Sequence, residues 1–374
     1  MRKLPIFQLE DYLSSREFGA PYMLGGSDAE TRSLENILDM ADSQCRDIWR
    51  GLSLHYTEPY GMPVLLEEIA RLYGESITKS NILTFAGAEE GIYILCHALL
   101  SSSDHAIVIT PCYQSLESVP SSLCEVTKVA LYENENWELC IDRVTKAIKP
   151  NTKLLLINYP HNPTGAVITK VQQEQLINLA REKDLWIFSD EVYRYLELEP
   201  SDRLPTMASV YDKGLSLGVM SKSFGLPGLR MGWIAAQNQL VLKEMSNVKH
   251  YLSICNSAPS EVLSLIALRS KDKILDRNIK IIRTNIALLD SFFEDYFDLF
   301  GWVRPKGGCI GFVKIIGSWR SYDFAEKLLA KKGVVVLPDR VFDSEGNCFR
   351  IGFGRSNMPE ALQLFKDFIG EEKI

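Results

Sequence analysis

Four near-continuous apolar runs mark the middle of the chain: "AIVITP" (Ala106–Pro111), "LLLINYP" (Leu154–Pro160), "LWIFSDE" (Leu185–Glu191) and "LSLGVMS" (Leu215–Ser221). Each has the length of a strand, and each lacks the polar alternation of a strand with one wet face. Such runs suit central strands covered on both sides. Between the second and third, "VQQEQLINLAREK" (Val171–Lys183) sets Leu176, Ile177 and Ala180 on one face, as the crossover helix of a βαβ unit does. From about Asn81 to Ala236 the pattern therefore predicts an α/β layered domain with a largely parallel sheet.

Beyond about Ser260 the rhythm changes. A long helical stretch to about Phe297 precedes "CIGFVKI", "GVVVLPD", "CFRIGFG" and a last helix, "MPEALQLFKDFIG". Strands mixed with flanking helices predict a smaller α+β domain. The expected division is a segment 1–45 packing on the small domain and the mouth of the site, a large α/β domain 46–260, and a small domain 261–374.

Composition narrows the class. The chain has 374 residues, 46% hydrophobic and 24% charged, enough for two domains and a large core. A net charge of -7 argues against nucleic acid or an anionic membrane as the main partner. "MRKLPIFQLEDYL" has no apolar core of signal-peptide length, and no run approaches a membrane span. Eight cysteines show no C-x-x-C pair, and five histidines form no cluster. They predict reduced thiols in a cytoplasmic protein, with neither a disulfide frame nor a metal site.

Candidate chemistry lies where the strands end, because open α/β sheets bind ligands beyond their carboxyl ends. There the chain offers Asn158 and Asn162 in "NYPHNPTG", Asp190 and Tyr193 in "SDEVYR", and Ser221–Lys222 in "MSKSFGLPGLR". Upstream, "LTFAGAEEGIYILCHALL" reads as a strand, a glycine turn and a helix from near Ala88, whose free N–H groups can take an anion. Singly, each residue suits a cap or a turn. Together they fit one cofactor. A lysine desolvated beside other cations loses its charge, and a neutral amine forms a Schiff base with an aldehyde. The turn Gly225–Gly228 folds Arg230 back toward Lys222, so Arg230 and the Ala88 helix end can share a phosphate. Asp190 facing a pyridine nitrogen would keep it protonated, with Asn162 and Tyr193 on the ring's phenolic oxygen and Tyr113 stacked on its face. That set predicts pyridoxal 5′-phosphate (PLP).

The chain resembles the class I/II aminotransferases, fold-type I PLP-dependent enzymes, through "YTEPYGMPVLLEEIARLYG", "FAGAEEGIYILCHALL", "PCYQS", "NYPHNPTG", "SDEVYRYL", "SKSFGLPGLRMGW" and "FRIGFGR". The resemblance implies a large domain with a mostly parallel seven-stranded sheet. It implies that Lys222 carries the Schiff base and moves the α-proton, and that Asp190 pairs with the ring. It puts Ala88, the Glu89 backbone, Ser221 and Arg230 on the phosphate, and Tyr56 on the phosphate of the neighbouring subunit in a homodimer. Arg350 would clamp the substrate α-carboxylate.

Two places depart from that pattern. Val219 stands where many relatives have a Ser or Thr for the phosphate. In "FQLEDYLSSREFGAPYMLGGSDAETRSL", Ser27, Asp28 and Glu30 stand where relatives bring mainly glycine or apolar contacts near the substrate, with Glu10 and His55 flanking, so Ser27, Asp28, Glu10 and His55 join Asn162 and Arg350 as expected substrate-binding residues. A mouth lined by carboxylates would suit a cationic side chain, and this N-terminal style resembles a branch that includes capreomycidine-synthase-like cyclases.

Three readings follow: transamination between an amino acid and a 2-oxo acid, elimination or cyclisation on an arginine-derived substrate, and a non-enzymatic effector sensor. About twenty-five residues before the matched region are too few for a helix-turn-helix module, which disfavours the third. Val192, where acyl-condensing relatives carry histidine, disfavours that chemistry.

Overall fold

In the computed structural model, which describes residues 3–372, the four apolar runs become adjacent strands. The large sheet has seven strands: β1 (Ile82–Phe85), β2 (His105–Thr110), β3 (Glu125–Ala130), β4 (Thr152–Asn158), β5 (Trp186–Asp190), β6 (Gly214–Val219) and β7 (Gly232–Ala236). Their order is β1-β7-β6-β5-β4-β2-β3, with β7 antiparallel to both neighbours and every other pairing parallel. The chain reverses at the end of β6 through the "SKSFGLPGLR" turn, which is why the one reversed strand follows Lys222. Leu154, Leu156, Phe188, Leu215 and Leu217 are buried, as strands with helices on both faces require.

The crossover helix runs from Lys170 to Glu182 and opens with a capping box between Thr169 and Gln172. Gln173, Leu176, Ile177 and Ala180 form its buried face. Register then lines up the ends of the strands: Asn158 pairs with Asp190, and Asp190 with Leu217. The polar residues thus leave the sheet together.

The predicted helical stretch from Ser260 to Phe297 is two helices, Ala258–Arg269 and Lys271–Asp295, which meet at Ser270. Ser270 leaves the helical conformation at φ -104°, ψ 18°, because the two halves serve different cores. The first half buries Val262–Leu268 against Leu65 and Ile69 of the helix Pro63–Ala70. The second turns Ile282, Ile286, Leu289 and Phe293 toward Phe300, Phe349 and Phe365.

A smaller antiparallel sheet follows: β8 (Phe300–Trp302), β9 (Ile310–Ile315), β10 (Leu337–Pro338) and β11 (Cys348–Gly352), in the order β10-β11-β9-β8. "GVVVLPD", expected as a full strand, pairs with β11 only at Leu337 and Pro338. Its earlier backbone groups are taken by the N-terminal segment: Tyr22 N–H donates to Gly333 O, and Val335 N–H donates to Tyr22 O. Among the described residues, no helix is long and apolar enough to cross a membrane.

From Tyr22 the segment continues between the two sheets. Gly352 N–H donates to Leu24 O, Ala29 N–H to Lys222 O, and Glu30 N–H to Gly354 O. Gly225, at φ +66°, closes the Lys222 turn beneath it. A Cβ there would lie 2.5 Å from Glu30 O and 2.9 Å from Ala29 O. Gly225→Ala is therefore expected to destabilise the protein by roughly 1–3 kcal/mol, from the positive φ and the backbone clash together. Urea unfolding checks this, and an unchanged midpoint would show that turn and segment are not in contact.

Candidate active site

A cavity of about 490 Å³ opens beyond the ends of β4, β5 and β6. Its walls bring together Ala88, Glu89, Tyr113, Asn162, Asp190, Tyr193, Ser221, Lys222, Arg230 and Arg350. Ser27, Asp28 and Glu10 line it as well. Elements far apart in sequence meet here because the sheet register aligns the strand ends and the segment 22–30 is laid across them.

Lys222 stands at the centre. Burial pulls its amine below the ordinary lysine range; Asp28 opposes that shift and Arg350 adds to it. Its Nζ donates to Ser27 Oγ at 2.8 Å. Asp190 ends β5, where burial pushes its carboxyl up to about 7; the Val192 N–H at 3.2 Å and the Lys222 charge act the other way. Asn158 fixes the neighbourhood: its amide donates to Asp190 O at 2.8 Å and its Oδ1 accepts from Asn162 N–H at 2.7 Å.

The phosphate end is built on a glycine. Gly87, at φ +95°, precedes the helix Ala88–Leu99, and a Cβ on it would fall 2.5 Å from Arg230 Nη2. The guanidinium therefore lies directly over the helix N-terminus, a cation and free N–H groups side by side. Val219 is buried in the cavity wall and brings no hydroxyl, which leaves Ser221 as the hydroxyl on that side. Glu89 contributes more than its backbone. Its side chain reaches the cavity, accepts from Ser115 Oγ at 2.9 Å, and is pushed up to about 7 by burial.

At the opposite end Arg350 is 2% exposed, with Nη1 on Asn162 Oδ1 at 3.0 Å and Nη2 on Gly25 O at 2.8 Å. Its Nε and the buried Tyr193 hydroxyl have no hydrogen-bond partner among the described residues. Buried polar atoms without partners are uncommon, and with Arg355 Nε three of them belong to residues that line this one cavity. Tyr113, tilted at 51° against Phe7 with ring centroids 5.2 Å apart, donates its hydroxyl to Glu10 at 3.1 Å. The donor set fits PLP: a desolvated amine, a buried carboxyl, a phenol and amide, and a cationic anion cradle.

The rest of the expected acidic mouth is arranged differently. Asp28 accepts from Arg355 Nη2 at 2.8 and 3.0 Å, so its charge is already matched. Glu30 lies off the cavity wall and accepts from Ser356 N–H at 2.6 Å. His55 is exposed, with Nδ1 on Tyr56 O at 2.6 Å, and it does not reach the cavity of its own chain. Tyr56 is 81% exposed on the same loop. Arg355 and Glu17, both on the cavity wall, were not singled out from the sequence. Arg355 is the second arginine of "FRIGFGR", five residues after Arg350, and that spacing was the available signal.

Because Asp190 ionises near 7 in the folded protein and near 4 when unfolded, its burial costs nothing below about pH 4. The cost grows as pH rises from about 4 to 7 and is complete above that. Asp190→Asn keeps an acceptor for the Val192 N–H without that charge. The cofactor-free variant is expected to be more stable than the parent at pH 8, on the order of a few kcal/mol, and not at pH 4. Thermal melts at the two pH values check it.

Residues 50–364 match the model of the family described as aminotransferase class I and II. An aspartate aminotransferase of Pyrococcus horikoshii is 27% identical, the alignment covering 94% of this chain and 91% of the relative. Capreomycidine synthase of Streptomyces vinaceus is 28% identical over 77% of this chain and 74% of its own length. A PLP-dependent aminotransferase from Streptococcus suis superposes with a TM-score of 0.92 at 31% identity, over 99% of this chain and 98% of that one. With the family model spanning most of its length and the fold and cavity described above, this chain belongs to the class I and II aminotransferases, the PLP-dependent family of fold type I.

Proposed function

We propose that this chain holds PLP on Lys222 and moves an amino group from an L-amino acid to a 2-oxo acid. The observation that carries the reading is the desolvated Lys222 amine in one cavity with Asp190, Tyr193, Asn162, Arg230 and Arg350. When bound, PLP supplies an aldehyde that condenses with amines and a protonated ring that takes up the electron pair left at the substrate α-carbon.

The chain's own residues do the rest. Arg230 and the N–H groups at Ala88 and Glu89 bind the phosphate, with Ser221 beside them. Asp190 sits in a place so dry that its carboxyl titrates near neutrality, so a ring N–H⁺ beside it would hold it ionised and be held protonated in return. Tyr193 and Asn162 offer donors to the phenolic oxygen. Tyr113 covers the ring face. Arg350 takes the α-carboxylate, and its free Nε gives it a donor in hand. Lys222, whose amine burial pulls below the ordinary lysine range, would take the α-proton and hand it back during the transfer.

The second reading, elimination or cyclisation on an arginine-derived side chain, has the similarity to capreomycidine synthase and the Glu10 and Glu17 carboxylates on the cavity wall behind it. The Asp28–Arg355 pair weakens it, since a substrate guanidinium would have to displace an arginine already in place. Transamination is the better reading.

The assembly we propose is a homodimer with shared sites. Leu54, Tyr56, Tyr251, Leu252 and Ile254 are 45–91% exposed, and Thr57 Oγ1 bonded to Asn256 O joins their two segments into one patch. An apolar patch of that kind suits a protein interface. The cysteines, scattered along the chain with no C-x-x-C pair, suit the cytoplasm. We place the division between the two domains at the helix break at Ser270.

Incubation with a panel of amino acids, with and without 2-oxo acids, tests the function by mass spectrometry of the products. The expected outcome is amino transfer that requires the oxo acid, with all turnover lost in Lys222→Ala. Product formed without an oxo acid would establish the second reading. Sedimentation at assay concentration is expected to show a dimer; an active monomer would remove Tyr56 from the site.

A further inference from the structure

Lys222 is gripped at both ends by one strand of the N-terminal segment. Its backbone carbonyl accepts from Ala29 N–H at 3.2 Å, and its Nζ donates to Ser27 Oγ at 2.8 Å. No other hydrogen bond of that amine is made among the described residues. A lysine side chain has four rotatable bonds, and a single acceptor decides where its free amine rests.

Ser27 is itself held from several sides. Arg350 Nη2 donates to Gly25 O, two residues before it, and Arg355 pairs with Asp28, the residue after it. Cys309 Sγ donates to Ser27 O at 3.4 Å. The hydroxyl of Ser27 also lies beside that of Tyr193, close enough to influence it though outside strict hydrogen-bond geometry. Sequence placed Ser27 among the substrate-binding residues; its side chain is spent on the lysine.

We propose that Ser27 is a positioning residue for Lys222, its hydroxyl holding the amine at one place in the cavity whenever that amine is free to carry a proton. The inference rests on the reading of Lys222 as the proton carrier. It assigns the aim of that proton transfer to the N-terminal segment and not to the large sheet that bears the lysine. The same segment carries Gly25 against Arg350, so one strand sets both the group that moves the proton and the group that fixes the α-carboxylate.

The first test uses cofactor-free protein, where competitive acylation of Lys222 across pH, read by peptide mass spectrometry, gives its titration midpoint. The titratable groups facing the amine are Asp28, Arg350, Glu10 and the neutral thiol of Cys309, with Tyr193 beside Ser27 and Asp190 and Glu89 further along the wall; all are the same in every variant. Losing an acceptor removes support from the ammonium form, so Ser27→Ala is expected to lower the midpoint by about half a pH unit or more. Ser27→Thr, which keeps the hydroxyl, is expected to stay with the parent. In PLP-loaded enzyme, exchange of the substrate α-hydrogen with D₂O should slow roughly tenfold in Ser27→Ala with little change in KM, and recover in Ser27→Thr. A midpoint or an exchange rate unchanged in Ser27→Ala overturns the proposal, as does a Ser27→Thr variant that behaves like Ser27→Ala. If instead Lys222→Ala still binds PLP covalently, the aminotransferase reading fails, while the labelling midpoint continues to report on Ser27 by itself.

Discussion

The active site depends on one strand of backbone, Leu24 to Glu30, laid between two sheets that do not otherwise share hydrogen-bonded strands. Leu24 O and Glu30 N–H bind Gly352 and Gly354 on one side, and Ala29 N–H binds Lys222 O on the other. Such bonds need close approach, and the glycines supply it. Gly225 turns under the segment, and a Cβ on Gly352 would fall on the oxygen of Gly26. Arg350 then spans the join, one nitrogen on Gly25 O and another on Asn162 of the large domain. The segment thus joins Arg350 and Lys222 through its own backbone, alongside the Glu197–Gly307 bridge that also links the two parts of the chain.

The electrostatics of the cavity have a single main cause. Lys222 is lowered, and Asp190 and Glu89 are raised, each with burial as its largest contribution. The nearby charges only trim those shifts. A dry pocket therefore brings an amine and two carboxyls toward neutrality from opposite directions, which is the condition for exchanging protons near neutral pH. It also leaves every such group costly to the protein on its own, and a cofactor carrying a phosphate and a protonated ring offsets much of that cost.

Much of this was legible in the sequence, and the boundary of legibility has a physical basis. β4, β5 and β6 announced themselves because both faces are buried and their runs are uninterrupted. Asp190, Asn162, Lys222 and Arg230 followed from where those runs stop. The break at Ser270 was not visible, since two amphipathic helices in direct succession carry one continuous pattern when their apolar faces turn toward different cores. "GVVVLPD" looked like a strand because it is apolar and buried; its pairing went to Tyr22, more than three hundred residues away. The partners of the acidic residues at the mouth were hidden for the same reason. Asp28 and Glu30 are acidic in any reading, but whether they face a substrate depends on Arg355 and the Ser356 N–H, long-range partners that composition does not reveal.

That pairing bears on substrate choice. A carboxylate that is 9% exposed and bound twice by one guanidinium nitrogen is not a vacant receptor for a cation. Breaking the pair leaves the buried Asp28 carboxylate uncompensated, a loss that must be met out of the roughly 1.5–3 kcal/mol a single charged hydrogen bond to a new partner returns. A substrate guanidinium meeting Asp28 would therefore have to leave Arg355 another anion. Glu17 stands on the same wall and could serve, but then the cavity would have gained one cation by spending two carboxylates. A substrate whose side chain leaves the Asp28–Arg355 pair intact avoids that exchange, and Glu10, which accepts from the Tyr113 hydroxyl, is then better described as a brace for that ring than as a receptor.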